Sequence, residues 1–242
     1  MGALHAGHLA LVEKAKALGK PVLVSVFVNP AQFNNAEDLQ KYPRTLAQDL
    51  QLLNNADVDA VFLPVTSDLY PPDLADVSIN LGVLDNVFEG QHRPGHFEGV
   101  VKVLHRLFSL LKPQDVFFGQ KDLQQCLVVE KLIAQCFPDI HQHNIPTMRD
   151  NRTGLALSSR NARLSAAGLE KAGHINQALR LIAEKSDYEA ARLLLHNHGI
   201  GIEYLEVVSL PDMLPATDVS SRKAVVFAGY VEGVRLIDNH IF

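Results

Sequence analysis

Short apolar runs alternate with longer amphipathic stretches through the first 146 residues, and that alternation predicts strands interleaved with helices. In Leu9–Leu18 the residues Leu11, Ala15 and Leu18 share one face, with Glu13, Lys14 and Lys16 off it, so a surface helix is expected, stopped by Gly19 and Pro21. Val22–Phe27 is an apolar run rich in β-branched residues, as expected of a strand buried on both faces of a parallel sheet. A polar, mobile stretch is expected over Asn34–Leu39. A helix over Leu46–Ala56 should follow, with Leu46, Leu50 and Leu53 as its stripe and Thr45 and Gln48 as a capping box. Ala60–Pro64 reads as a short strand and Pro71–Pro72 as an extended loop. Glycines and Pro94 force a tight turn around Arg93 and His96, ahead of a helix carrying Val100, Leu104, Leu107 and Leu111. A strand over Asp115–Phe118, a helix over Leu123–Cys136 and a polar strand over His141–Pro146 complete this part, with His141 and His143 as edge residues.

From Thr147 the pattern changes. A hairpin-like segment leads to Ser158-Ser159-Arg160-Asn161, followed by helices over Ser165–Glu184 and Asp187–Asn197. Strands are expected over Ile202–Leu210, Ala224–Tyr230 and Val234–Asp238, the last two joined by a tight turn at Glu232-Gly233. The expected fold class is therefore α/β: a Rossmann-like, doubly wound parallel sheet over residues 1–146, and a smaller α+β domain over 147–242.

Candidate chemistry begins at the first residues, Met1-Gly2-Ala3-Leu4-His5-Ala6-Gly7-His8. They open the first helix, where unpaired backbone N–H groups and the positive dipole end favour an anion. Gly7 leaves room for a ligand against the backbone. Two histidines three apart at a helix start also suit a solvated terminus, or a metal pair whose third ligand is not evident nearby. Ser158, Ser159 and Arg160 add hydroxyls and a guanidinium, and Lys121 in Gly119-Gln120-Lys121-Asp122 adds an ammonium. Together they have the chemistry to hold a triphosphate resting on that helix start.

Composition narrows the classes. Over 242 residues the net charge is −5 and the pI about 6.1, without a basic cluster, which argues against a nucleic-acid partner. No apolar run approaches the ~20 residues of a membrane span, and no signal peptide is expected ahead of the first motif. Cys126 and Cys136 have no C-x-x-C spacing and read as reduced core thiols of a cytosolic protein.

His-x-Gly-His followed by Ser-Ser-Arg-Asn resembles the nucleotidyltransferases with HIGH and KMSKS-type signatures. The longer strings MGALHAGH, SVFVNPAQF, KYPRTLAQDL, RPGHFEGV, FGQKDLQQ, GLALSSRN and RLIDN, in this order, resemble the pantothenate synthetase (pantoate–β-alanine ligase) family over nearly the whole chain. That resemblance implies ATP-dependent condensation of pantoate with β-alanine through a pantoyl adenylate, with Mg²⁺ accompanying ATP, in a cytoplasmic homodimer. It implies His5, His8 and Lys121 as catalytic residues. For ATP it implies residues 1 to 8 (Met1, Gly2, Ala3, Leu4, His5, Ala6, Gly7, His8), with Gly119, Gln120, Lys121, Asp122, Met148, Leu157, Ser158, Ser159 and Arg160. Gln32 and Gln125 would hold pantoate and β-alanine, and Asp49 matches an acidic position near Mg²⁺–ATP. Arg93 and His96 match a loop beside the pantoate pocket and are expected to act structurally. Gln120 departs from the family, which usually carries Glu there, removing one charge beside the phosphates. The second domain is expected to act as a lid over the nucleotide.

Two rival functions share these motifs: a nucleotidyltransferase that stops after adenylylating a phosphate-bearing substrate, and a non-catalytic nucleotide-binding protein on the same fold. AMP release that needs an amine separates the first, and pantoate-stimulated ATP–diphosphate exchange the second. The family also has a strand and helix ahead of its first motif, so roughly 20–30 further residues upstream are expected, with Met1 and Gly2 loosely held without them.

Overall fold

The computed structural model describes residues 1–33, 36–72, 76–217 and 222–242, in two compact units. The first comprises Met1–Gln120 and Gln124–Ile145, the second Lys121–Leu123 and Pro146–Phe242.

In the first unit, helix α1 (Ala6–Lys16) buries Leu11 and Val12. It ends two residues sooner than its apolar stripe suggests, so Leu18 falls in the following turn and is exposed. Strand β1 (Leu23–Ser25) is shorter than the apolar run that contains it; Val24 within it and Val22 just before it are buried, while Leu23 is exposed. It pairs in parallel with β2 (Ala60–Phe62). On the other edge of β1 the Met1 amine donates to the Ser25 carbonyl at 2.8 Å and the Phe27 amide to the Met1 carbonyl at 2.9 Å, so this end is held rather than loose. Val12, Val22, Val24 and Leu53 form a small core here.

Asn34 and Asn35 lie outside the described residues. The rest of the polar stretch expected to be mobile is helix α2 (Ala36–Lys41), with Glu37 and Asp38 at its positive end and Lys41 at its negative end. Helix α3 (Leu46–Asn55) buries Leu53, whereas Leu46 at its first position is exposed. Thr45 makes no side-chain cap; its hydroxyl donates instead to Asp49 Oδ1 at 3.0 Å. Short helices α4 (Thr66–Leu69) and α5 (Phe88–His92) lead to α6 (His96–Leu111), which starts from Gly95 in the left-handed region at φ 80°.

Strand β3 (Asp115–Gly119) pairs in parallel with β4 (His141–Ile145), connected by α7 (Leu123–Cys136). Asp115 accepts from Lys20 Nζ and from His143 Nε2, both at 2.7 Å, and these bonds hold its carboxyl below the usual carboxylate range. His143, on a strand paired on one side only among the described residues, also stacks on Phe117. Cys126 is buried, but Cys136 at the end of α7 is exposed, which corrects the expectation of two core thiols.

In the second unit, helices α8 (Ala166–Lys185) and α9 (Tyr188–Asn197) are capped by Ser165 and Asp187. Ser165 Oγ accepts from the Gly168 amide at 3.0 Å and Asp187 from the Ala190 amide at 2.9 Å, satisfying donors that the first helical turn leaves open. Strands β5 (Gly201–Ser209), β6 (Leu214–Pro215), β7 (Lys223–Val231) and β8 (Val234–Ile241) form an antiparallel sheet in the order β6-β5-β7-β8. Leu179, Leu195, Leu205 and Phe227 sit at the centre of one core between helices and sheet. Glu232 and Gly233 both take positive φ, at 51° and 75°, as a two-residue hairpin turn requires.

Candidate active site

At the start of α1 the two histidines cap the helix reciprocally. The Gly7 amide donates to His5 Nδ1 at 3.1 Å and the His5 amide to His8 Nδ1 at 3.3 Å, with the ring centroids 4.1 Å apart. An Nδ1 that accepts a backbone N–H bears no proton, so each neutral ring carries its proton on Nε2. The two rings are therefore set as Nε2–H donors beside a helix N-terminus. Both properties suit an anion, and the alternative of a metal pair is disfavoured because a ring nitrogen bearing hydrogen cannot ligate. Among the described residues no group of three or more His, Cys, Asp or Glu is arranged to hold a metal ion.

The loop before α1 is held from the side. Asp49, 2% exposed on α3, accepts from the Ala3 amide at 2.9 Å through Oδ2 and from the Leu4 amide at 2.8 Å through Oδ1. Ala3 takes a left-handed φ of 50°, a conformation that needs such over-determination in a residue other than glycine. Asp49, expected near the metal of Mg²⁺–ATP, anchors the histidine loop in this structure by accepting from two amides and a hydroxyl. A Cβ on Gly2 would stand 3.3 Å from Val28, so the same loop also lies close against the segment after β1.

That segment carries Gln32 in a 3₁₀ turn, Pro30–Gln32, seated on α6. A Cβ on Gly99 would lie 2.3 Å from the Ala31 carbonyl oxygen and 2.8 Å from Gln32 Cα, so the turn can pack there only against glycine. Asn29, 2% exposed, donates through Nδ2 to the Gly99 carbonyl at 3.1 Å, and its Oδ1 accepts from the Ala31 amide at 3.2 Å and the Tyr70 hydroxyl at 2.9 Å. Burial pushes the Tyr70 phenol above its ordinary value, against the smaller effect of that bond, so it remains a donor.

The Gln32 carbonyl in turn accepts from His96 Nδ1 at 2.8 Å and from Arg93 at 3.3 Å. Arg93 also reaches His96 Nε2 at 3.0 Å and Glu89 at 3.3 Å, which fixes His96 as the neutral Nδ1–H form. The Glu89 amide donates to Gln124 Oε1 at 3.0 Å, next in sequence to Gln125 on α7. One hydrogen-bonded chain thus runs from the Gln32 backbone to the helix bearing Gln125. Both glutamine side chains are half-buried.

Gly119 closes β3, and the 3₁₀ turn Gln120–Asp122 follows, Gln120 in the first unit and Lys121 and Asp122 in the second. Among the described residues a Cβ on Gly119 would meet nothing within 4 Å. Lys121 Nζ lies 3.5 Å from Asp122, and its side chain is 16% exposed. In the second unit the bridge between Arg149 and Ala156 closes the hairpin, and the Leu157 amide donates to the Met148 carbonyl at 2.9 Å. Ser158 then caps the 3₁₀ turn Ser159–Arg163, its Oγ accepting from the Arg160 amide at 3.3 Å. Met148 is exposed; Leu157, Ser158, Ser159 and Arg160 are half-buried.

Sites read from the sequence therefore fall in the histidine loop with Asp49, in the Gln32 turn linked to α7, and in two segments of the second unit, Lys121–Asp122 and the Ser158–Arg160 loop. Sequence reasoning gives no role to Tyr70, Gly99, Asp238 or Asn239. The strings containing Gly99 and the Arg235–Asn239 stretch are recognisable in the chain, but the partners of these residues are far away in it.

Comparison with known proteins bears on the whole chain. A family model described as Pantoate-beta-alanine ligase matches residues 1–241. The pantothenate synthetase of Cytophaga hutchinsonii is 40% identical over 251 residues, covering 99% of this chain and 88% of that protein. That of a Ruegeria species is 45% identical over 249 residues, with 99% and 88% covered. Among solved structures, the Thermus thermophilus enzyme superposes with a TM-score of 0.93 at 40% identity, covering 99% of this chain and 90% of that one. The Francisella tularensis pantoate-beta-alanine ligase, complexed with beta-gamma ATP and beta-alanine, gives 0.84 at 36% identity, with 100% and 87% covered.

Proposed function

This chain belongs to the pantoate–β-alanine ligase family, and from that premise we propose how its residues divide the work. The reaction is the ATP-dependent condensation of pantoate with β-alanine to pantothenate, AMP and diphosphate. In the first step a pantoate carboxylate oxygen attacks the α-phosphorus, the bond to the β-phosphate oxygen breaks, and diphosphate leaves. In the second the β-alanine nitrogen attacks the acyl carbon of the adenylate, AMP leaves with the electron pair of the broken C–O bond, and the amine gives up its proton. Neither step needs a covalent enzyme intermediate, so positioning and charge neutralisation carry the catalysis.

The observation that carries this assignment is the inward turn of both Nδ1 atoms at the start of α1, which fixes two Nε2–H donors. His5 and His8 donate to phosphate oxygens as negative charge shifts onto diphosphate. Gly7 and the amides of Met1–His8 let the nucleotide approach the backbone. Lys121 and Arg160 neutralise triphosphate charge and the Ser158 and Ser159 hydroxyls donate to phosphate oxygens; Gly119, Gln120, Asp122, Met148 and Leu157 line the nucleotide. Gln32 and Gln125 orient pantoate and β-alanine. Mg²⁺ would accompany ATP as a substrate complex, where it would offset phosphate charge as diphosphate leaves. Among the described residues no helix is long and apolar enough to cross a membrane. A cytoplasmic homodimer is the working state we assign by family.

AMP formation from ATP and pantoate, with and without β-alanine, tests the scheme. Diphosphate exchange should depend on pantoate alone, and sustained AMP release on the amine as well. AMP release unaffected by β-alanine would defeat it.

Gly99 supplies a sharper test of the Gln32 assignment. Gly99→Ala is expected to raise KM for pantoate roughly tenfold and to destabilise the fold by about 1–3 kcal/mol, as overpacking does. KM for ATP should change much less, because the histidine loop is anchored separately by Asp49. Equal rises in both KM values would place the Gln32 turn outside the pantoate site.

A further inference from the structure

The Arg235-Leu236-Ile237-Asp238-Asn239 stretch of β8 has no part in the scheme above, yet its last two residues are polar and only 4% exposed each. Asp238 accepts from both terminal nitrogens of Arg149, at 2.6 and 3.0 Å, a forked geometry available only to arginine. It also accepts from the Asn239 amide at 2.8 Å. Arg149 reaches further, to the Gly154 carbonyl at 3.3 Å and the Asn239 carbonyl at 3.2 Å. Asn239 Nδ2 donates to the Lys121 carbonyl at 2.9 Å, across 118 positions of sequence.

Read outward, these bonds join two places the reaction uses. Lys121 is held at its backbone by Asn239. Asn239 and Asp238 hold Arg149, which closes the hairpin through its bridge to Ala156, and Ser158 follows two residues later. Asn161 in the next turn donates back to the Ala156 carbonyl at 3.0 Å. Every member of this chain of bonds lies in the second unit, so its geometry stands on that unit alone. A β-strand is a stiffer support than the loops it joins, and the buried Asp238 carboxylate is held here by two bonds from one guanidinium.

We propose that Asn239, anchored by the Arg149–Asp238 pair, is a positioning residue that fixes the Lys121 backbone in register with the Ser158–Arg160 loop, so that ammonium, hydroxyls and guanidinium meet one triphosphate together. The proposal rests on the reading that Lys121 serves the phosphates. It assigns Asn239 no contact with substrate: its effect passes through Lys121.

The test is a double-mutant cycle on pantoate-dependent ATP–diphosphate exchange, with folding checked by circular dichroism and melting temperature. Asn239→Ala and the near-isosteric Asn239→Asp, which cannot donate to a carbonyl, are each made alone and with Lys121→Ala. If Asn239 positions Lys121, each single variant should lower kcat/KM for ATP roughly 10- to 100-fold, the scale expected of ~1 Å misplacement. In the Lys121→Ala background the same substitution should cost less than about threefold, because the group being positioned is gone. KM for β-alanine should stay within twofold. A full loss repeated in the Lys121→Ala background, or wild-type kcat/KM in a folded Asn239→Asp, overturns the proposal while leaving Lys121 in its role. An unimpaired Lys121→Ala overturns the reading beneath it and the proposal together. Should Asn239→Ala fail to fold, the Asn239→Asp arm decides.

Discussion

Replacing His8 with alanine is expected to lower pantoate-dependent ATP–diphosphate exchange by roughly 100- to 1000-fold, the cost of removing one preorganised donor from a charge-developing transition state. Two effects are removed together and they differ in size. As a cap, His8 Nδ1 accepts the His5 amide at 3.3 Å, a long bond at a helix end, and caps of this kind contribute about 1 kcal/mol. As a donor, its Nε2–H is worth about 3–4 kcal/mol at the transition state. The rate effect should therefore exceed the stability effect, with the protein still folded and the melting temperature lowered by only a few degrees. Single-turnover exchange and thermal denaturation on the same preparation separate the two. Near-wild-type exchange in a folded His8→Ala protein would remove the histidine pair from the phosphate site.

What the sequence discloses about the fold depends on how local the cause is. Helix α7 is legible because its apolar spacing and the strand ends around it are all within the segment, and the Glu232-Gly233 turn because φ must be positive there whatever the surroundings. Leu18, Leu23 and Leu46 are misjudged for the opposite reason: periodicity says which residues share a face, not whether another element covers it. Thr45 makes no cap, its hydroxyl being turned to donate to a carboxylate four residues on. The two-residue strand β6 escapes because so short a segment has no period to read.

Within the candidate site the same distinction holds. The position of His5 and His8 at a helix start follows from the chain itself. Their tautomers do not, because those depend on which way each ring turns toward the backbone. Gly99 looks like one of several glycines in a turn-rich segment; its reason, a carbonyl oxygen 2.3 Å from where its Cβ would be, comes from residue 31. Asn239 stands in a recognisable string, but its partner is 118 positions away. Motifs name the groups that touch a ligand, and the groups that hold those groups are found only in three dimensions.

Asp49 is the clearest such support, and Asp49→Asn should cost roughly 100-fold in exchange rate without touching the nucleotide. Its carboxylate receives the Ala3 and Leu4 amides and the Thr45 hydroxyl in a site 2% exposed. A carboxamide keeps the shape but has one acceptor oxygen and presents an NH₂ where an amide N–H already points, so one buried donor is left facing another. An unsatisfied buried donor costs about 1–3 kcal/mol, enough to lower the melting temperature by several degrees or to move the loop. Movement is the more damaging outcome, because Ala3 sits at a φ of 50° that nothing but its surroundings maintains, and the histidine pair begins two residues later. A displacement of ~1 Å there suffices for the ~100-fold loss. Mg²⁺ titration separates this support role from metal binding. An anchor leaves the defect of Asp49→Asn unchanged as Mg²⁺ is raised, whereas a lost ligand is compensated by excess metal. Recovery of exchange at high Mg²⁺ would return Asp49 to the metal, and wild-type exchange in the variant would remove it from both roles.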